Sequence, residues 1–512
     1  MNDAASTPLT PRTRAFALAA LGGALYFLGW AGFGVWPFAL VCMVPLWAAL
    51  ELGLARSWQH SLAVGWSFGT VMCLGGYHWL VEFLDVFSGY GIVASSFFFV
   101  IFCIYLGFNY ALYAVLYRML RRRGWTTAAI VVPILLVVEW AYPALFPTYI
   151  ANSFHELTLP TQIADLGGPL LVSALIVLVN LLVYEAGRWA LGRRAAPRIL
   201  LAATFVASAA CIGYGAMRID QVEAKMAAAP VFRVGVVQVN MGIFEKRSEA
   251  LEGYRRHLEQ SQQLEDEGEL DLIVWPESAY VSTLSRDVPW NGDFIRGPLE
   301  TPLLFGGLSA ERVDGERKAY NSVFLMDAEG IVRATYDKTY LLMFGEYLPF
   351  GDTFPVLYEL SPNSGHFTAG SHVRPVTLGD WRISTPVCYE DILARFTRKM
   401  VREAKPHVLI NLTNDAWFGD TQEPYIHLVL SKYRAIEHRR YLVRSTNSGV
   451  SAVVDPLGRV VTQSGLLTRE NLRAELRMMN EDTFYTKLGD WPGWLSLLVL
   501  AWMLFSRRGA VQ

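Results

Sequence analysis

Charge is scarce in this sequence. Of its 512 residues 18% are Asp, Glu, Lys or Arg, while 53% are hydrophobic and 13% aromatic. Soluble globular domains carry roughly 25% charged residues, so the deficit excludes an ordinary soluble protein. An excess of one sign is also missing. Forty-four basic residues face 46 acidic ones, net −2, which leaves no global field to hold nucleic acid by counterion release. Internal repeats of 20 to 50 residues and low-complexity tracts are absent as well. Cysteine is sparse: Cys42, Cys73, Cys103 and Cys211 fall in apolar runs, and Cys388 stands alone in the more polar part of the chain. An intramolecular disulfide is therefore excluded there. No metal site is expected among the histidines. His427 and His438 are eleven positions apart on one expected helix, about three turns and too far to share an ion, and both read as surface or interface residues.

What is present is apolar sequence in blocks. Ala15 to Leu50 is 36 residues without a charge, too long for one span of about 20 residues but suited to two short ones. The break is expected near Gly32 to Gly34. Further runs lie at Ser61–Leu80, Gly91–Tyr117, Thr126–Phe146, Leu166–Tyr184, Ile199–Met217 and Trp491–Phe505, giving eight candidate membrane helices. A cleaved signal peptide fits the first run poorly, because more spans follow it rather than a soluble domain. Lys and Arg near span ends stay cytoplasmic. Outside residues 218–490 there are thirteen basic residues, from Arg12 and Arg14 through Arg118 and Arg121 to Arg507 and Arg508, and an eight-span chain puts all of them on one face. The opposite loops, 81–90 and 147–165, contain no Lys or Arg. Both termini are thus expected in the cytoplasm and residues 218–490 on the far side, the periplasm in a bacterium. The expected domains are 1–217, seven membrane helices; 218–490, one large outer domain; and 491–512, the eighth helix and a tail.

Within 218–490, β-branched runs at Val231–Val239, Leu270–Trp275, Leu303–Gly307, Ser322–Met326, Ile331–Tyr336, Arg382–Val387, His407–Leu412 and Ser451–Val454 read as strands. Amphipathic patterns at Glu249–Glu267, Asp391–Ala404 and Glu423–Arg440 read as helices, so the domain is a layered α/β unit. Ala227–Pro230 reads as a short linker after the seventh helix. An unpaired thiol in an oxidising compartment is a liability unless it has a use. Cys388 closes a strand-like run and precedes a helical pattern. At such a turn the thiol is lifted above the sheet edge and the helix N-terminus favours a thiolate. A nucleophile also needs a base and an electrostatic partner. Two other strand ends, Trp275-Pro276-Glu277-Ser278 and Tyr336-Asp337-Lys338, carry groups of the right type.

Taken together, the WPES tetrapeptide, the Y-D-K-x-x-L-L-x-F-G-E-Y-L-P run from Tyr336 to Pro349 and the C-Y-E-D of Cys388 to Asp391 resemble the Glu-Lys-Cys triad of the nitrilase superfamily. Asn414 to Gly419 and Arg444 to Gly449 extend the match. With the membrane helices on either side, the whole chain resembles the apolipoprotein N-acyltransferase family. The resemblance implies an αββα sandwich and ping-pong acyl transfer without a cofactor. Glu277 would be the general base, Cys388 the nucleophile, and Lys338 with a backbone N–H near Tyr389 the oxyanion partner. Glu346, Tyr389 and Glu390 would support them, and Asn414 and Trp417 would contact substrate. The donor implied is a glycerophospholipid, typically phosphatidylethanolamine, giving up its sn-1 chain. The acceptor implied is the α-amino group of a diacylglyceryl-cysteine apolipoprotein.

Arg434, Glu437 and Arg444 match family positions and read equally as a structural ion network. Two tryptophans usual in the family are missing: none occurs between Met217 and Val274, and Phe146-Pro147 leads into Thr148-Tyr149. These departures leave room for a divergent paralogue with another acceptor. A membrane-tethered amidohydrolase shares the triad, and an idle lipid-binding scaffold shares the fold but has no use for a lone thiol. Gly65-Trp66-Ser67-Phe68-Gly69 has the form of a serine-hydrolase motif, yet lies inside an apolar run without the strand-turn-helix setting that motif needs. Helix packing explains it better.

Overall fold

A computed structural model describes residues 10–286, 292–361 and 363–506. Arg507 and Arg508, expected on the cytoplasmic face, lie outside them. The first part is a helical bundle. Among the described residues three helices, Ile92–Arg122, Ala164–Ala190 and Arg198–Ala228, are long and apolar enough to cross a membrane. The other expected spans are occupied by shorter or less apolar helices: Pro11–Leu28, Met43–Leu52, Trp58–Gly76, Thr127–Ala141 and Trp491–Phe505. Between the first two the chain turns through Gly32 and Gly34, both at positive φ, where a side chain would be strained. Gly65 and Gly69 lie on the Trp58–Gly76 helix, where an added Cβ would meet backbone of Tyr110 and Gly107 at 2.2 and 2.3 Å. The glycines of the serine-hydrolase-like motif thus serve close helix packing.

Two expectations need correction. The segment 81–90, expected as a loop, is mostly the helix Leu80–Ser88. Ala227–Pro230 is not a linker, because the seventh helix continues to Ala228. Its last turns can be charged because Arg218 pairs with Asp165 at 2.9 Å and with Glu481 at 2.9 Å, and Lys225 pairs with Glu481 at 2.8 Å.

Strand β1 (Val231–Gln238) starts three residues later. It joins a seven-stranded sheet with β2 (Leu272–Val274), β3 (Tyr280–Ser285), β4 (Leu303–Val313), β5 (Glu316–Met326), β6 (Val332–Asp337) and β13 (Glu470–Arg477), in the order β13-β1-β2-β4-β5-β6 with β3 beside β4. The second sheet runs β12-β11-β10-β9-β8-β7, from β7 (Val376–Leu378), β8 (Trp381–Ser384), β9 (Val408–Thr413), β10 (Tyr441–Thr446), β11 (Ala452–Val454) and β12 (Val460–Gln463). Alternate residues explain the packing. Val234, Val236, Leu272 and Val274 of the first sheet meet Val408, Ile410, Leu412 and Val443 of the second between the sheets. Their neighbours Val237, Ile273 and Trp275 face outward with Leu264 of the helix Ala250–Asp266. Leu409 and Leu442 face outward with Val401 and Leu428, from the helices Ala394–Ala404 and Glu423–His438. The unit is an αββα sandwich, and the continuous apolar runs follow from strands covered on both faces.

The sandwich sits on the bundle through the Glu423–His438 helix. Lys432 Nζ donates to the His155 carbonyl at 3.0 Å, the Tyr433 hydroxyl to Ala151 at 2.5 Å, and Arg439 pairs with Asp165 at 2.8 Å. Asn363 reaches the Phe87 carbonyl at 2.6 Å. The two segments without Lys or Arg, 81–90 and 147–165, are therefore both among those that meet the sandwich.

Candidate active site

Cys388 follows β8, where Val387 bridges to Leu412 of β9. Its φ is 49°, a left-handed conformation that costs a β-substituted residue of order 1–3 kcal/mol and persists only where surroundings hold it. Asn411 supplies part of that hold, donating to the Pro386 carbonyl at 3.1 Å and the Cys388 carbonyl at 3.2 Å. Glu390 supplies more. Its carboxylate accepts from the backbone N–H of Thr339 and Tyr340 at 2.8 Å each, from Val387 N–H at 2.8 Å, and from the Tyr336 hydroxyl at 2.9 Å. One side chain thus ties the chain after Lys338 to the chain before Cys388. Burial still pushes its carboxyl up to about 7. The expected helix directly behind the thiol is displaced: a single 3-10 turn, Cys388–Ile392, intervenes before the helix Ala394–Ala404. Charge stabilisation at sulfur has to come from elsewhere.

Glu277 and Lys338 approach from the other sheet. The WPES turn lies so close to β4 that a Cβ on Gly306 would stand 2.7 Å from the Glu277 Cα and the Pro276 carbonyl, so only glycine fits. Glu277 Oε1 accepts from Asn321 Nδ2 at 2.7 Å and lies 4.0 Å from Lys338 Nζ. Lys338, 2% exposed, pairs with Glu346 Oε2 at 2.7 Å, and its backbone N–H donates to Asn321 at 2.8 Å. Asn321 also donates to Glu346 Oε1 at 3.0 Å. It is a hub that sequence reasoning missed, as was Lys246, a buried lysine whose Nζ donates to the Glu277 carbonyl at 3.1 Å. Burial brings Lys246 down to about 8. Burial also raises Glu277, against the lowering pull of Lys338. The Cys388 thiol is pushed well up, first by burial and then by the negative charge of Glu277, with Lys338 opposing. A neutral thiol beside a carboxylate of raised basicity is the resting arrangement for general-base activation.

A second charged group also acts on Cys388. Arg444, in β10, bridges Asp391 Oδ2 at 2.7 Å and Asp415 Oδ2 at 2.9 Å. His427 bridges the same two carboxylates, Nε2 to Asp391 at 3.0 Å and Nδ1 to Asp415 at 3.1 Å. The surface reading of His427 and His438 is wrong: they are 4% and 0% exposed. Donor atoms of Asp415, Glu423 and His427 lie within 4.8 Å of one another, a spacing that could suit a metal. Both ring nitrogens of His427 and both oxygens of Asp415 are already taken within the protein, so the donor set does not fit one. Arg434 and Glu437 form a separate buried pair at 2.5 Å.

Between sandwich and bundle a small apolar chamber of about 30 Å³ reaches Cys388. Tyr389 and Phe418 line it, but neither expected substrate contact does. Trp417 packs edge-on against Phe87 with centroids 5.6 Å apart, and the Asn414 side-chain oxygen accepts from Asn447 at 3.1 Å. The turn Asp415–Phe418 presents the neighbouring ring instead.

Sequence comparison agrees with this two-part build. The profile of the carbon-nitrogen hydrolases matches residues 233–482, and that of the apolipoprotein N-acyltransferase N-terminal domain matches residues 22–182. Proteins named apolipoprotein N-acyltransferase are similar along nearly all of their length. That of Geobacter metallireducens is 30% identical, covering 97% of this chain and 96% of its own. That of Bdellovibrio bacteriovorus is 30% identical over 93% and 91%, and that of Rhodopseudomonas palustris 27% over 96% and 95%. With relatives at 30% identity that share both halves over nearly their whole length, the chain belongs to the apolipoprotein N-acyltransferase family.

Proposed function

We infer that the protein moves the sn-1 acyl chain of a phospholipid, phosphatidylethanolamine in the first instance, through a Cys388 thioester onto the α-amino group of a diacylglyceryl-cysteine apolipoprotein. The observation that carries this reading is Cys388 opening into an apolar chamber walled on one side by the bundle. In the first half-reaction Glu277 takes the thiol proton as sulfur attacks the ester carbonyl. The oxyanion is met by the Lys338 ammonium and the Tyr389 N–H. Collapse breaks the ester C–O bond, and Glu277 returns the proton to the lysophospholipid alkoxide. In the second, the amine attacks the thioester, a C–N bond forms, the thiolate leaves, and Glu277 relays the amine proton to sulfur. One carboxylate serves both halves. Glu346 and Glu390 act as positioning residues for Lys338 and Cys388. Transfer wins over hydrolysis where water is kept off the thioester, which an apolar chamber favours.

On this reading eight helices span a bacterial inner membrane, both termini are cytoplasmic, and the sandwich is periplasmic. Support comes from the thirteen basic residues expected on one face and from the lysine- and arginine-free segments 81–90 and 147–165 that meet the sandwich.

The test is intact-protein mass spectrometry of the detergent-solubilised protein with phosphatidylethanolamine. One hydroxylamine-labile acyl chain is expected on the wild type and none on Cys388→Ala. A folded wild-type protein that acquires no chain sinks the donor claim and favours the amidohydrolase reading.

A further inference from the structure

The chamber above Cys388 is unusual in what its walls leave unpaired. Six of its lining residues are aromatic: Trp30, Tyr77, Trp79, Phe146, Tyr389 and Phe418. Most touch edge to face or tilted, Trp30 to Tyr77 at 5.3 Å, Tyr77 to Trp79 at 5.9 Å, and Trp79 to Phe146 and Phe418 at 5.6 and 5.4 Å. Into this wall is set one carboxylate, Glu423, 5% exposed. Its Oε2 has no partner, and neither has the indole N–H of Trp30 or of Trp79, residues 1% and 2% exposed.

The contrast with the adjacent carboxylates is informative. Asp391 and Asp415 share two cationic partners, Arg444 and His427, at 2.7 to 3.1 Å. Glu423 reaches only His427 Nδ1, at 3.9 Å, a nitrogen already committed to Asp415. A buried carboxylate without its own counter-charge is costly, and burial raises this one to about 8. The groups facing it are Asp415, His427, Arg444 and Asp391, and both cations of that set are already committed to the two aspartates.

Aromatic faces attract cations, most strongly when desolvated. A carboxylate accepts from an ammonium, and indole N–H groups donate to oxygen. The ligand that satisfies all three is a primary ammonium with an oxygen acceptor a few ångströms away. We propose that Glu423, with the indole N–H groups of Trp30 and Trp79, seats the primary ammonium group that enters the chamber. The proposal rests on the acyl-transfer reading for the identity of its ligands. Two sources share the chemistry: an ethanolamine headgroup, whose phosphate supplies the oxygens, and the acceptor N-terminus, whose first carbonyl does. Glu423 selects substrate by its headgroup or N-terminus, and the proton chemistry stays with Glu277.

The test is calorimetric binding to the full-length protein in detergent, using ligands that need no turnover. In one arm a dialkyl-ether phosphatidylethanolamine is compared with its phosphatidylglycerol counterpart; in the other, a diacylglyceryl-cysteine peptide with its N-acetylated form. The ammonium ligand of at least one pair is expected to bind about tenfold tighter or more, the range of a hydrogen bond to a charged group. Glu423→Gln, which keeps shape and removes charge, should erase that preference, and Trp79→Phe should cut it about threefold. A preference in the lipid arm identifies the headgroup, and one in the peptide arm the N-terminus. Equal binding within both pairs, or a preference that survives in both variants, overturns the proposal. So does Zn²⁺ binding to the wild type that Glu423→Gln abolishes, which would make the group a metal site. Failure of ester phosphatidylethanolamine to acylate the same wild-type preparation would sink the acyl-transfer reading instead, since the ether-lipid result does not depend on turnover.

Discussion

Two groups of buried charge act on Cys388, and they differ in how closely they are paired. On one side Glu277, Lys338 and Glu346 share one cation between two carboxylates, and the Glu277–Lys338 distance is a loose 4.0 Å. On the other, Arg444 and His427 serve Asp391 and Asp415 from both ends, with all four separations between 2.7 and 3.1 Å. The first group keeps a basic oxygen and a cation available to a substrate. The second holds each aspartate from two cations, leaving Arg444 Nε without a partner, and fixes the turns that carry Cys388 and Phe418. Loose pairing marks the side proposed to react and close pairing the supporting side, and the first group is also the less hidden, with the Glu277 and Glu346 side chains 10% and 13% exposed against 0% for Asp391, Asp415 and Arg444.

This contrast can be broken experimentally. The largest effect is expected on the reactive side: Glu277→Gln should lower the rate of Cys388 acylation by roughly 10²- to 10⁴-fold, the usual worth of a positioned base. Its melting temperature should not fall, because a carboxylate crowded by Glu346 has been neutralised. Time-resolved mass spectrometry and thermal unfolding measure the two. Arg444→Met should do the reverse. It leaves two buried carboxylates short of a partner, and a loss of about 3–5 kcal/mol is expected, read by denaturant unfolding. A smaller effect is expected from Tyr336→Phe, which removes one of several donors to Glu390. That should cost about 1 kcal/mol, with acylation nearly unchanged.

The pH dependence sharpens the same comparison. Activity should fall on acidification through the raised pKa of Glu277, at a pH above the ordinary carboxylate range, because a protonated base cannot accept the thiol proton. Stability should respond in the opposite sense. Glu423 and Glu437 are both raised to about 8 by burial, so the folded state binds protons that the unfolded state has lost. Their contribution is full below about pH 4.5 and is lost as pH rises towards 8. Melting temperature should therefore drift down between pH 6 and 8.5 while activity rises, and Glu437→Gln should flatten the drift.

The motifs around Glu277, Lys338 and Cys388 were legible because each follows closely on a strand, β2, β6 and β8, and carries its local signature with it. What surrounds the triad was not. Asn321 sits mid-strand in β5, 44 residues from Glu277 in sequence, and nothing local marks it as a hub. His427 and His438 lie on a helix rich in charge, and charge ordinarily signals solvent. Only the bundle beneath and the sheet above bury that helix on all sides. The seventh helix outran its apolar stretch because Asp165 and Glu481, far away in sequence, receive its arginine. The layered α/β class was readable from strands covered on both faces, whereas β13 was missed although its Leu472, Ala474 and Leu476 alternate with polar residues as a half-buried strand does. Trp417 and Phe418 differ by one position in a short turn, and that register decides which ring meets the chamber.

β1 and β13 are antiparallel neighbours, with Val231 opposite Arg477, and Met478 N–H donates to the Pro230 carbonyl at 3.0 Å. The strand through which the chain enters the sandwich and the strand through which it leaves are thus about 4.8 Å apart. A domain whose two ends meet in this way behaves as a cassette: it can be spliced into a single inter-helix turn without prising the flanking helices apart. Excising residues 231–477 and closing the gap with a short turn would leave the neighbouring helix ends close enough to rejoin, so an enzyme and a membrane platform could each have been assembled on its own terms before being combined in one chain.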